Sequence, residues 1–130
     1  MQYFSVRTLK AFLPATLWAI VIFLLSSQQV LPGFETSLAD FLLKKFAHMF
    51  VYFVLYLLLF YGFTQTHLAE HAKKQHAEKI WLYAFLICLL YAVSDEIHQS
   101  LVPGRQPTVR DIGYDFLGMS TALLFRLRYI

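Results

Sequence analysis

The sequence contains little charge and only one cysteine, and each shortage excludes a class of protein. Charged residues make up 15% and hydrophobic residues 58% of the 130 residues, whereas an average soluble domain has about 25% charged residues. A soluble core formed by so short a chain could not hide that much apolar surface. The single cysteine, Cys88, excludes an intramolecular disulfide and a CxxC metal or redox motif, and its apolar neighbours predict a buried side chain. We therefore expect the chain to be folded in a lipid bilayer.

The basic residues are also too dispersed to indicate a nucleic-acid-binding protein. The net charge is +3, but the lysine and arginine residues are scattered between hydrophobic runs and form no continuous stripe. Aromatic residues make up 18% of the chain, which is typical of side chains that face lipid and the membrane interface. The composition favours an integral membrane protein without a nucleic-acid partner.

Four apolar stretches predict an all-α membrane protein, a four-helix transmembrane bundle formed by a single domain over residues 1–130. The predicted spans are about 11–27, 46–63, 80–99 and 110–127. These approach the roughly 20 residues that a helix needs to cross a bilayer. The first stretch has the basic leader and the length of a signal peptide, but residues 26–29 (SSQQ) offer no small-x-small cleavage site. We expect this stretch to be retained as the first helix.

Short polar sequences predict where the helices begin and turn. Ser37-x-x-Asp40 and Thr108-x-x-Asp111 resemble capping boxes ahead of the second and fourth spans. The Pro-Gly pair at 103–104 predicts a tight turn in which the glycine accepts a positive φ.

The distribution of basic residues predicts the orientation of the bundle. Seven of the 11 lysine and arginine residues fall on the side of the chain ends and the second loop. They are Arg7, Lys10, Lys73, Lys74, Lys79, Arg126 and Arg128. Because cytoplasmic loops carry the excess of these residues, we expect both termini in the cytoplasm, N-in and C-in. The other four, which include Lys45 and Arg105, are then outside.

Polar residues recur at one level of the predicted helices. About 15 residues, or about 22 Å, from the cytoplasmic end of each span, the helices reach Ser26, His48, Asp95 and Asp111. Charged groups inside a hydrocarbon core about 30 Å thick are costly unless they face one another or a wet cavity. The four residues are therefore predicted to surround one polar cup that opens outward.

Helical spacing adds neighbours to this predicted cup. Lys45, His48 and Tyr52 share a face of the second helix, and Asp95 and Gln99 share a face of the third.

The fourth helix carries a stripe that is acidic at one end and small at the other. Asp111 and Asp115 are followed by Gly118 and Ala122 at helical spacing, and small residues let a neighbouring backbone approach closely. Arg105, on the preceding turn, can reach over the same opening.

A second motif in the sequence is discounted. His67-x-x-Glu70-His71 matches the H-x-x-E-H pattern of inverted zinc proteases. Such a site needs a further ligand and a shaped cleft, which a short loop cannot build. We predict a solvated charged loop and no metal site there.

Taken together, these motifs resemble the VanZ-like family of small bacterial membrane proteins. The resemblance runs from about Trp18 to Leu124. Its residues are Ser26-Ser27-Gln28, Lys45-x-x-His48-x-x-x-Tyr52, Ser94-Asp95-Glu96-Ile97-His98-Gln99, Pro103-Gly104-Arg105, Asp111 and Gly118. Two positions depart from the family pattern, with Lys44 in place of an aspartate and Asp115 in place of an asparagine. The resemblance implies a multi-pass protein of the bacterial cytoplasmic membrane, related to one that lowers sensitivity to teicoplanin.

The leading hypothesis is a cell-envelope protein whose partner is a membrane lipid or a lipid-linked envelope precursor. The outer cup would bind an anionic, lipid-linked or phosphorylated molecule. The residues expected to bind this ligand are Lys45, Tyr52, Gln99, Arg105 and Asp111. Lys45 and Arg105 would hold phosphate or carboxylate, and the acidic residues would contact hydroxyls or orient the two cations.

The sequence leaves open whether the protein is an enzyme, and it identifies no cofactor. A catalytic version would use His48, Glu96 and Asp95, with His48 or Glu96 as general acid or base. A metal-assisted hydrolase is a second hypothesis, in which His48, Asp95, Glu96 and Asp111 bind Zn²⁺ or Mn²⁺, but Lys45 and Arg105 beside them oppose a third cation. A third hypothesis is a scaffold or partner subunit in which the polar cluster only locks the bundle.

Overall fold

The computed structural model describes residues 6–29, 37–66 and 79–128, which form four α-helices without a β-strand in these ranges. The helices are α1 (Val6–Ser26), α2 (Leu38–Gln65), α3 (Ile80–Ser100) and α4 (Val109–Arg126). The predicted all-α fold with four helices is confirmed.

Successive helices run in opposite directions. At one end of the bundle α1 and α3 finish side by side, where Ser27 Oγ and His98 Nε2 lie 2.9 Å apart. At the other end the rings of Phe12 on α1 and Phe63 on α2 meet edge to face, with 5.0 Å between their centroids. We call the first end, where α1 and α3 finish and α2 and α4 begin, the polar end.

Three helices of the described segments, α1, α2 and α3, are long and apolar enough to cross a membrane. The helix α4 is shorter, at 18 residues, and includes Arg110, Asp111, Asp115 and Arg126. It nevertheless packs against α2 and α3 in the same bundle. Many leucine, isoleucine, valine and phenylalanine side chains are exposed on the bundle surface, as expected of helices that contact lipid. A crossing by α4 and the N-in, C-in orientation remain predictions.

The helix α2 packs against all three others and makes its most extensive contact with α4. Gly118 permits this contact, because a Cβ atom at that position would overlap the backbone carbonyl of Met49. The expected close approach along the small part of the α4 stripe is therefore observed. On the opposite side of α2, Trp18 Nε1 donates a hydrogen bond of 2.9 Å to the carbonyl oxygen of Val51. Cys88 is fully buried, as its apolar neighbours predicted.

The helix starts follow the sequence signals only in part. Ser37 Oγ accepts a hydrogen bond from the backbone N–H of Asp40 at 3.2 Å, as predicted. Thr108 occupies the N-cap position of α4, but its side chain caps no backbone group, so the predicted capping hydrogen bond is wrong. The Asp111 N–H already donates to the carbonyl oxygen of Thr108, and the Thr108 hydroxyl donates to Asp111 Oδ2 at 3.1 Å instead. Gly104 has the predicted positive φ, at 79°.

The helix α2 begins at Leu38, directly after Ser37, where the capping signal predicted a helix that continues into the second span. Lys44 and Asp40 lie one turn apart in the first part of α2 and form an ion pair of 2.8 Å. Such pairs stabilise an exposed helix.

Candidate ligand-binding site

The helices α2 and α4 are joined at the polar end by an ion pair between Lys45 and Asp111. Lys45 Nζ donates to Asp111 Oδ1, and the two side chains are only 18% and 11% exposed. The ammonium also lies 5.3 Å from the ring centroids of Phe41 and Tyr114, where aromatic faces attract a cation. These contacts fix Lys45 in position, but they also occupy part of its capacity to bind a ligand.

One turn further along both helices, His48 meets Asp115. The distance between His48 Nδ1 and Asp115 Oδ1 is 2.8 Å, and Asp115 is fully buried. An ionised carboxylate can only accept, so we assign the proton of this hydrogen bond to Nδ1. In the neutral imidazole, Nε2 then carries the free lone pair.

The acidic residues of α3 have unequal environments. Asp95 Oδ2 accepts a hydrogen bond of 3.0 Å from Gln99 Nε2, one turn along the helix. Glu96 is buried, and its Oε1 has no hydrogen-bond partner among the described protein groups. Three further buried atoms share this state: Tyr52 Oη, Tyr56 Oη and Asp115 Oδ2. Such atoms are costly to bury unless a polar partner reaches them.

Arg105 connects the turn between α3 and α4 to the end of α1. Its Nε donates to the carbonyl oxygen of Gln28 at 3.0 Å, and its Nη2 donates to the carbonyl oxygen of Leu25 at 2.9 Å. The last carbonyls of a helix lack intrahelical partners and are common acceptors for basic side chains. A guanidinium has five N–H donors, so Arg105 keeps donors for another group.

A cavity of about 90 Å³ lies between these elements at the polar end. Its walls are formed by Ile22, Leu25, Ser26, Ala47, His48, Val51, Tyr52, Asp95 and Arg105. Three of the four residues that were predicted to share one level, Ser26, His48 and Asp95, line it together. The fourth, Asp111, is not part of the wall and is held by Lys45.

The structure therefore divides the predicted site residues into two groups. His48, Tyr52, Asp95 and Arg105 line the cavity. The remaining ones, Lys45, Glu96, Gln99 and Asp111, surround these without forming its wall.

The sequence assigned no role to Asp115 or Tyr56. Asp115 is the hydrogen-bond partner of His48, and Tyr56 is fully buried with an unpartnered hydroxyl. A signal was present, because each residue lies four positions after a predicted site residue, namely Asp111 and Tyr52.

The described residues do not assemble the ligand set that a metal-assisted hydrolase would require. Within 6–29, 37–66 and 79–128, no group of three or more His, Cys, Asp or Glu side chains could hold a metal ion. His48 is instead bonded to Asp115, and Asp111 to Lys45. The H-x-x-E-H sequence at 67–71 lies outside the described residues.

Fold and site together define a helical membrane protein with a small cavity, lined by both polar and apolar side chains, at one end of its bundle. A model of the VanZ/LLP1 family matches residues 7–128, a range that includes the cavity and nearly all of the four helices. The chain therefore belongs to the VanZ/LLP1 family, which confirms the resemblance seen in the sequence. Comparisons with curated proteins and with solved structures gave no match.

Proposed function

We propose that this protein acts in the bacterial cell envelope, where it binds the headgroup of an anionic, lipid-linked or phosphorylated molecule. The observation that carries the proposal is the cavity, which combines the Arg105 guanidinium and the His48 imidazole with apolar side chains such as Ile22 and Val51. An amphiphile has the same two parts, and lipid surrounds a bundle with this apolar exterior.

Arg105 is the best placed anion-binding group. It lines the cavity, and among the described residues two of its five N–H donors bind carbonyl oxygens, those of Leu25 and Gln28. Lys45 lies one turn from His48 and contributes positive charge from outside the wall, while its ammonium stays with Asp111. Asp95 and Tyr52 are available to hydrogen bond with other polar groups of the ligand.

Membership in the VanZ/LLP1 family supports an envelope role. We propose further that the protein is a single-domain, multi-pass protein of the cytoplasmic membrane whose polar end faces outward. We also propose the link with teicoplanin sensitivity that the resemblance implies. Teicoplanin acts outside the cytoplasmic membrane, so an outward-facing site would lie on the side where it works.

The hydrogen bond between His48 and Asp115 favours a second candidate, an enzyme that acts on the bound headgroup. Asp115 would hold the imidazole with Nε2 free to accept a proton from a hydroxyl or a water molecule in the cavity. The buried carboxylate would then stabilise the imidazolium that results. In this version His48 is the general base, and Asp115 is its positioning residue.

Mass spectrometry of lipids retained by the purified protein tests the binding proposal. We expect the unmodified protein to retain a phosphorylated lipid after purification in mild detergent, and Arg105→Gln to lose it. Lys44→Gln is the matched control, because Lys44 is exposed and, within the described part of the chain, forms an ion pair with its helix neighbour Asp40 alone. Equal retention by the unmodified protein and folded Arg105→Gln would reject the proposal in favour of a scaffold. Enzymatic action predicts in addition that His48→Gln retains more of the substrate and less of its product.

A further inference from the structure

Two groups of opposite charge face the same cavity without being paired with each other. Arg105 donates to the carbonyl oxygens of Leu25 and Gln28. Asp95 accepts from Gln99 through one carboxylate oxygen, Oδ2. Both residues line the cavity, and the ion pairs of the described residues do not include this combination. The wall thus offers one cationic and one anionic binding group.

The charge around the cavity favours a ligand that brings a positive group as well as a negative one. Four carboxyl groups are buried here: Asp95, Glu96, Asp111 and Asp115. The permanent cations beside them are Lys45 and Arg105, and Lys45 is already bonded to Asp111. Asp95 has no cationic partner among the described residues, so an anion alone would meet an uncompensated carboxylate on the same wall, which is expensive in a medium of low polarity. A ligand that also carries a cation offsets that cost.

The cavity has room for a small cationic group. Its volume of about 90 Å³ holds several water molecules, since one water needs about 10–15 Å³ of such volume. An ammonium group on a two-carbon chain therefore fits inside it. A phosphate on the same chain would remain at the mouth of the cavity, beside Arg105.

We infer that the cavity binds the headgroup of an aminophospholipid, with the ammonium against Asp95 and the phosphate against Arg105. This inference deepens the proposed function and rests on it, because it names the class of phosphorylated lipid. A primary ammonium has three N–H donors, and Asp95 Oδ1, His48 and the Tyr52 hydroxyl are acceptors on the same wall. The apolar part of the wall contacts the carbon chain of the headgroup.

The test uses the full-length protein in nanodiscs that contain equal amounts of phosphatidylethanolamine and phosphatidylglycerol. Both lipids contain the phosphate. Beyond it, phosphatidylethanolamine carries an ammonium group and phosphatidylglycerol carries hydroxyl groups. After extraction in mild detergent, we expect the retained lipid to be enriched in phosphatidylethanolamine at least about fivefold, the ratio that one ordinary hydrogen bond provides. Asp95→Asn should retain phospholipid without this enrichment, and Asp95→Glu should recover part of it. The control Asp40→Asn, an exposed aspartate, should keep the full enrichment.

The outcomes separate this inference from the proposed function beneath it. Retention of phospholipid without a preference between the two lipids, or a preference that survives in Asp95→Asn, would overturn the aminophospholipid assignment alone. Absence of retained phospholipid from every variant would overturn the assignment too, and the proposed function would fall with it if protein purified from cells also retained no other phosphorylated lipid. In nanodiscs with phosphatidylcholine in place of phosphatidylglycerol, a preference for phosphatidylcholine would also contradict the inference, since a quaternary ammonium has no N–H to donate. Soluble O-phosphoethanolamine tests the source of the headgroup, and equal stabilisation of lipid-depleted protein by this compound and by the lipid would overturn the assignment to a membrane lipid.

Discussion

The backbone carbonyl of Met49 on α2 lies directly against Gly118 on α4, with no space for a side chain between them. This contact is made of backbone, so it cannot be relieved by rotating a side chain. Met49 follows His48 by one residue, and Gly118 follows Asp115 by three. The contact therefore sets the distance between α2 and α4 where the His48 and Asp115 side chains meet.

We predict that Gly118→Ala lowers the stability of the bundle. The added Cβ atom would overlap the Met49 carbonyl, and overpacking of this kind costs about 1 to 3 kcal/mol or more. Thermal unfolding in detergent should show a lower midpoint.

Gly113 on the same helix provides the control for this substitution. No atom lies within 4 Å of a Cβ atom placed there, and alanine favours a helix over glycine by about 1 kcal/mol. Gly113→Ala should therefore be neutral or stabilising. Equal midpoints for the two variants would show that the close contact between α2 and α4 does not occur in the membrane protein.

The level of the polar site could be predicted from the sequence, but the pairing of its side chains could not. The rise of a helix is nearly constant, so counting residues was enough to bring Ser26, His48 and Asp95 to one cavity. Which carboxylate meets which base depends on how each helix is rotated about its axis. That rotation places Asp111 beside Lys45 and Asp115 beside His48. Tertiary packing, and not the local sequence, determines the rotation.

The position of Arg105 shows a second limit of the sequence. It was correctly predicted to reach the opening, but its contacts with the carbonyls of Leu25 and Gln28 depend on where α1 ends relative to the turn after α3. Contacts between residues so far apart in the chain have no local pattern. Thr108 shows the opposite limit. A local capping pattern was present, but the Thr108 hydroxyl donates to the Asp111 carboxylate and does not cap the helix.

Breaking the ion pair between Lys45 and Asp111 should destabilise the protein, whereas replacing both residues together should be tolerated. Asp111→Asn leaves a largely buried ammonium without its charge partner, which costs up to about 3 to 5 kcal/mol in buried pairs. The double variant Lys45→Met with Asp111→Leu should recover much of that loss. A cycle of unfolding free energies over the unmodified protein, Lys45→Met, Asp111→Leu and the double variant measures the coupling. Additive effects of the two single substitutions would contradict a direct pair.

The orientation of the bundle can be tested with reporter fusions. The excess of basic residues near the chain ends predicts that Ile130 and the segment 71–76 are cytoplasmic and that Gly33 is outside. Alkaline phosphatase is active only outside the cytoplasm, so it should be active at Gly33 and inactive at the other two positions. Activity at both Gly33 and Lys74 would mean that the number of crossings between them is wrong.

The H-x-x-E-H sequence is expected to be dispensable. Replacement of His67 and His71 with alanine removes the match to the zinc-protease pattern, and neither residue belongs to a predicted span. Lipid retention and zinc content of the purified protein should be the same as in the unmodified protein. Loss of function at normal expression would revive the metal-dependent hypothesis.

The most discriminating substitution is Glu96→Gln, because it separates a site kept for a ligand from one kept for stability. Glu96 is buried, its Oε1 has no hydrogen-bond partner in the described segments, and three other carboxyl groups, Asp95, Asp111 and Asp115, act on it electrostatically. Glutamine has nearly the same shape and carries no charge. The variant should therefore insert normally and have a thermal midpoint equal to or above that of the unmodified protein.

Function should nevertheless fall in Glu96→Gln, since the negative field that attracts the ammonium of the ligand is weaker. We expect reduced retention of aminophospholipid, together with any change in teicoplanin sensitivity that the unmodified protein confers. Tyr61→Phe is the control, because Tyr61 is 50% exposed and lies toward the opposite end of α2. It should leave both the thermal midpoint and lipid retention unchanged. If Glu96→Gln unfolds at lower temperature while Tyr61→Phe does not, Glu96 is there to hold the bundle together, and a polar cluster maintained for a ligand is ruled out.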